Sequence, residues 1–136
     1  MGRRYTLRKI PVSPRPRPRF LDLTKIRMPV GALTSIGHRL SGIVLAACVA
    51  PAVYLLALSL RDERSYAEVT GLLGHPAFRT AIAIVAWALA HHLLAGIRHL
   101  LSDFDVGSTL RSARRSAWLV NLSAIAVALL AAALLQ

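Results

Sequence analysis

Apolar residues gather in three long runs, 36–60, 80–101 and 118–135, and polar residues crowd the stretches between them. A helix crossing about 30 Å of hydrocarbon needs about 20 predominantly apolar residues. Each run meets that requirement, so the pattern predicts an all-α integral membrane protein with three membrane-spanning helices. The first run contains Pro51, which removes one backbone donor and is expected to kink the helix locally. The polar stretches 61–79, with Asp62, Glu63 and Glu68, and 102–117, with Arg111, Arg114 and Arg115, read as the two connections. No internal repeat is visible.

Residues 1–30 are different in kind. They are basic and proline-rich, with SPRPRPRF at 13–20. Pro11, Pro14, Pro16 and Pro18 prevent a continuous helix there. An extended tail lying along a partner or the lipid surface is expected. It does not read as a cleavable signal peptide, because the first apolar run begins late and no small-residue cleavage site follows a short apolar region. The chain therefore divides into a tail, 1–30, and a three-helix membrane anchor, 31–136.

Charge sets the orientation. The formal net charge is +11, and nine of the seventeen Lys and Arg lie between Arg3 and Arg27. Arg61, Arg64 and Arg79 fall in the first connection, and Arg111, Arg114 and Arg115 in the second. With three spans the tail and the second connection share a side, which gathers most of the positive charge. Basic residues accumulate on the cytoplasmic side, so the N-terminus is expected inside. The same rule explains the basic tail without nucleic acid, which is not expected as a partner.

Composition narrows the chemistry. The chain is 55% apolar and 17% charged, against about 25% charged for a soluble domain. Its single cysteine, Cys48, lies in an apolar run. That excludes an intrachain disulfide and favours a thiol packed as a small hydrophobe. There is no nucleophile elbow, phosphate loop or carboxylate pair, so the chain is not expected to be catalytic alone.

The informative residues are the ionisable ones inside the apolar runs, since each costs about 2.5–3.5 kcal/mol on insertion scales. They form two clusters. In SIGHRLSG, 35–42, Ser35, His38, Arg39 and Gly42 recur at i, i+3, i+4 and i+7, which places them on one helical face. A basic, hydroxyl-bearing face suits an anionic or carbonyl ligand. The plainer reading is that His38 and Arg39 extend to the membrane interface.

The second cluster is HHLLAGIRHLLSD, 91–103. His92, Gly96 and His99 share a face, whereas His91 is turned about 100° from His92. The two adjacent histidines therefore cannot serve one centre. Gly96, one turn from His92, leaves room for a flat group near the backbone, and neutral imidazole is an axial ligand of haem iron. Small residues also mediate plain helix contact in membranes. Zinc fits less well, because it wants about four tetrahedral ligands. A proton relay from His92 through His99 to Asp103 lacks an acidic residue deeper in the span.

Taken together, SIGHRLSG and HHLLAGIRHLLSD resemble the two signatures of the cytochrome b membrane anchor of succinate dehydrogenase, the larger of that enzyme's two anchor subunits. LDLTKIRMPVGALTSIGHR, 21–39, resembles that family's approach to its first helix. The resemblance runs from about Arg17 to the C-terminus. It implies a second, smaller anchor subunit, which together with this chain makes a bundle of about six helices. That bundle docks an iron–sulfur subunit and a flavoprotein subunit on the cytoplasmic or matrix side; a bacterial inner membrane is expected, with the mitochondrial inner membrane as the alternative.

The resemblance further implies a haem b shared by the two anchor subunits and ubiquinone as the electron acceptor. By position, His92 is the axial haem ligand. His38, Arg98 and His99 are candidate neighbours of the haem propionates. Ser35 and Arg39 are the quinone-binding pair, and Asp103 is placed to meet a base of a partner. Part of the tail is expected to pack on the iron–sulfur subunit. The alternatives are the anchor of a quinol:fumarate reductase and a haem-free structural anchor.

Overall fold

A computed structural model describes residues 27–136, so the proline-rich tail and the contact expected of it lie outside the described residues. Those residues form four helices: α1 (Val30–Ser59), α2 (Glu63–Leu72), α3 (Pro76–Asp103) and α4 (Leu110–Leu134). α1, α3 and α4 are long and apolar enough to cross a membrane.

Each long helix begins before its apolar run, because local backbone chemistry rather than hydropathy sets its start. α1 begins at Val30, where Pro29 is held extended (φ −66°, ψ 151°), and the Pro29 carbonyl accepts from Ala32 and Leu33 N–H. It then runs unbroken through Pro51. α3 opens with Pro76 at its first turn and with the His75 ring accepting from Ala77 N–H; a proline is harmless there, since its missing N–H would have no helical partner. α4 starts at the Thr109 cap, which brings Arg111, Arg114 and Arg115 into its first turns. Thirty residues of α1 span about 45 Å, so the polar ends reach past the hydrocarbon.

The first connection departs from expectation. Instead of a plain loop, 61–79 contains α2. Asp62 caps it, accepting from Ser65 N–H at 2.7 Å, which satisfies one of the amides a helix start leaves open. The Arg64–Glu68 pair at 3.2 Å is exposed and contributes little. Arg79 closes the other end, donating from Nε to the Leu73 carbonyl at 2.8 Å. Neither device follows the hydrophobic period, which is why the pattern missed this helix.

The helices meet through small side chains. α3 packs against both α1 and α4, with a lesser α1–α4 contact. The buried apolar residues are Ala88 and Ala95 on α3 and Ala117, Val120 and Ala124 on α4. Their spacing of three, four and seven places them on single helical stripes. Larger residues, among them Leu93, Leu119 and Leu129, point outward. This is the membrane arrangement: lipid tails are as apolar as leucine, so close backbone approach and polar contacts hold helices together. Thr34, Ser41 and His91 are the buried polar residues among those described.

Candidate functional site

The two adjacent histidines of α3 point into different environments. His91 is 3% exposed and lies in the seam between the three long helices. Its Nε2 lies 3.1 Å from Asn121 Oδ1 on α4. The Thr34 hydroxyl of α1 donates to the Val30 carbonyl and stands 3.3 Å from the same Asn121 oxygen. A Cβ on Gly37 would sit 2.8 Å from His91 Cε1 and Nε2, so only glycine lets α1 close over this ring. Trp87, one turn back, lies tilted against it with ring centroids 5.4 Å apart. His91 Nδ1 is buried without a hydrogen-bond partner among the described residues, a state that costs about 1–3 kcal/mol.

His92 faces the other side of the α1–α3 contact. Its Nδ1 lies 3.1 Å from the main-chain carbonyl oxygen of His38 and 3.3 Å from Ser41 Oγ. The Ser41 hydroxyl itself donates to that carbonyl at 2.8 Å. A carbonyl can only accept, so Nδ1 carries the proton and Nε2 keeps its bare lone pair. Gly42 makes this possible, because a Cβ there would stand 3.0 Å from His92 Cε1.

His38 stacks on His92 with centroids 4.2 Å apart and planes 21° from parallel. His99 lies tilted against His38 with centroids 5.3 Å apart. Three imidazoles from two helices thus form one group. Gly96, expected to clear space for a flat ligand, is occupied in part by His38: its Cβ position is 3.7 Å from His38 Nε2.

The remaining sequence candidates lie outside this group. Arg98 turns toward α4 and donates from Nε to Ser116 Oγ at 3.1 Å, with Nη2 3.4 Å from the Ala113 carbonyl. It lines a groove of about 320 Å³ between α3 and α4 that no histidine enters. Its position six residues after His92 rotates it well off the His92–His99 face. On α1, Ser35 is half-buried and Arg39 exposed, so the face shared by Ser35, His38, Arg39 and Gly42 divides. His38 and Gly42 meet α3, whereas Arg39 points away from the bundle. Asp103 ends α3 and is exposed.

Sequence reasoning missed Thr34, Ser41 and Asn121. A signal existed for Asn121, an amide in an otherwise apolar run and therefore as anomalous as the histidines. Thr34 and Ser41 carried less, since isolated hydroxyls in spans commonly bond their own helix.

The nitrogen left free on His92 suits a metal or haem iron. Ligating histidines ordinarily donate their other ring N–H to a carbonyl or carboxylate, which fixes tautomer and ring orientation. The His38 carbonyl serves in that way. His92 Nε2 has no hydrogen-bond partner among the described residues and is not enclosed by the chain. His91, closed in by Gly37 and Asn121, has no comparable opening.

An all-helical membrane protein with a histidine group where two spans cross is a class that includes the anchors of respiratory complexes. A model of the succinate dehydrogenase/fumarate reductase transmembrane subunit family matches residues 13–132, and the chain belongs to that family. A succinate dehydrogenase cytochrome b556 subunit of Coxiella burnetii is 40% identical over 105 residues, covering 76% of this chain and 84% of the relative. Proteins of the same name from Paracoccus denitrificans and Rickettsia typhi are each 28% identical over 114 residues. They cover 84% of this chain and 88% and 89% of the relatives.

Proposed function

We propose that this chain is the haem b-binding membrane anchor of a succinate dehydrogenase complex and forms one wall of its ubiquinone site. The observation that carries the reading is the 3.1 Å approach of His92 Nδ1 to the His38 carbonyl, which leaves Nε2 as the ligating nitrogen. The relatives' name, cytochrome b556 subunit, supports a b-type haem as the group held. A bound haem would supply a one-electron carrier.

The chain's own residues divide the remaining work. Ser41 and the His38 carbonyl hold the His92 ring in one tautomer. His38, stacked on that ring, and His99, tilted against His38, are donors suited to haem propionates. Arg98 belongs to the α3–α4 contact and would meet a propionate only after leaving Ser116. Toward the quinone, the Ser35 hydroxyl would donate to a carbonyl, and the Arg39 guanidinium would stabilise negative charge developing on the reduced oxygen. The exposure of Arg39 suits a pocket completed by other chains: the smaller anchor subunit, the iron–sulfur subunit and, beyond it, the flavoprotein. The N-terminus and the α3–α4 connection then face the cytoplasm. The relatives' name favours succinate oxidation over the fumarate reductase direction that the family also includes.

A reduced-minus-oxidised spectrum of the complex, purified in mild detergent through a tag on this chain, tests the reading. The expected result is a b-type α-band. An intact complex without that band would leave only a haem-free anchor.

A further inference from the structure

We infer that His91 is a positioning residue for His92: its Nε2–H to Asn121 Oδ1 hydrogen bond sets the rotation of α3 and thereby the aim of the haem ligand. The inference rests on His92 holding haem, and extends that reading to a residue outside the ligand set.

Consecutive residues on a helix point about 100° apart, so α3 is gripped on two sides at adjacent positions. On one side His91 is locked between Asn121 of α4 and Gly37 of α1. On the other, His92 meets the His38 carbonyl, Ser41 and the close face of Gly42. A turn of α3 by about 10° would move an imidazole nitrogen by about 1 Å, beyond the roughly 0.5 Å within which a working site must be held.

The His92 side grips α3 against α1 alone: its partners are the His38 carbonyl at 3.1 Å, Ser41 at 3.3 Å and the His38 ring stacked at 4.2 Å, all on that one helix. The His91 side is enclosed, and its stop is hard, because α1 backbone at Gly37 lies directly over the ring. Gly37 belongs to α1 and Asn121 to α4, so the lock reaches all three long helices. Within this enclosed seam the His91 ring makes a single hydrogen bond, from Nε2 to Asn121, while its Nδ1 is buried without a partner among the described residues.

The test uses the intact complex and a matched pair, H91Q and H91M. Gln and Met have similar length and flexibility, but only Gln can donate from Nε2 to Asn121 Oδ1. N121L removes the acceptor and leaves His91 in place. The readouts are haem per polypeptide after detergent washing, the position of the reduced α-band and the haem midpoint potential.

H91Q is expected to match the parent protein. H91M and N121L should each assemble, lose haem retention by about tenfold and shift both band and potential. The double variant H91M/N121L should be no worse than either alone, as for two halves of one contact. Unchanged band, potential and haem retention in H91M and N121L would overturn the inference. So would H91Q failing as badly as H91M, which would assign the role to the ring, or H91M failing to assemble where H91Q assembles, which would make the bond a folding contact. Absence of haem from the parent complex itself would instead refute the haem reading, and this inference with it.

Discussion

The Nδ1 atom of His92 lies 3.1 Å from the main-chain oxygen of His38, fifty-four residues earlier. In a helix that oxygen ordinarily serves only the amide four residues on, here Gly42. Gly42 has no side chain to shield it, so an imidazole from α3 can reach the same acceptor. One missing Cβ therefore creates a second-helix contact and selects the tautomer of the candidate ligand.

Replacing His92 with Leu keeps the volume of the site and removes the ligating nitrogen. The variant complex is expected to lose its b-type α-band while α3 still packs on α1 through His91 against Gly37. The spectrum, normalised to protein, reads the outcome directly. Full retention of haem would transfer the ligand role elsewhere.

Gly37→Ala and Gly42→Ala separate packing from ligand geometry. Alanine in a helix gains about 0.5–1 kcal/mol over glycine, and overpacking costs about 1–3 kcal/mol. At Gly37 the added Cβ would stand 2.8 Å from two ring atoms of an enclosed His91, so the cost wins and thermal stability in detergent should fall. At Gly42 the 3.0 Å contact is with the half-buried His92 ring, which can shift. That variant should keep most of its stability and show an altered α-band.

Arg39→Ala should lower quinone reduction by about 10²-fold, the scale of losing one donor to a developing oxyanion. Succinate oxidation with a soluble dye should be unaffected. Ser35→Ala should act in the same direction and more weakly, since it removes a neutral donor. Parallel assays with quinone and dye decide the matter, and equal loss of both activities would point to assembly instead.

The Asp62 cap ties α2 to pH. The Ser65 amide donated to it holds the carboxyl below its ordinary value. A depressed folded-state value means the cap contributes fully above the unfolded carboxylate value of about 3.9 and loses its contribution as pH falls through the lower, folded value. Hydrogen exchange of the amides in Glu63–Leu72 should therefore accelerate, relative to the intrinsic rate, as pH drops below about 4. In Asp62→Asn that additional acceleration should disappear.

Much of this protein was legible in its sequence because membranes impose strong rules. Three apolar runs had to be three helices, since lipid offers no partner to an unpaired backbone group. His92 was separable from His91 by helical rotation alone, and the structure places them on different sides of α3 as that rotation requires. Arg98 was harder. A motif puts it beside His99, but one residue of rotation carries it to Ser116 on α4. α2 was missed because its ends are set by Asp62 and Arg79 rather than by periodicity.

What the sequence determined by itself was the number of spans, the expected sidedness of the charge and the identity of the ionisable residues that a bilayer would tolerate only for a reason. Each of those is a property of single residues or of one helix against lipid. What only the tertiary structure decided was which polar groups meet. The His38 carbonyl, Ser41, Asn121 and the openings at Gly37 and Gly42 lie on helices far apart in the chain. Whether they touch depends on the rotation and approach of packed helices, and no local period records that.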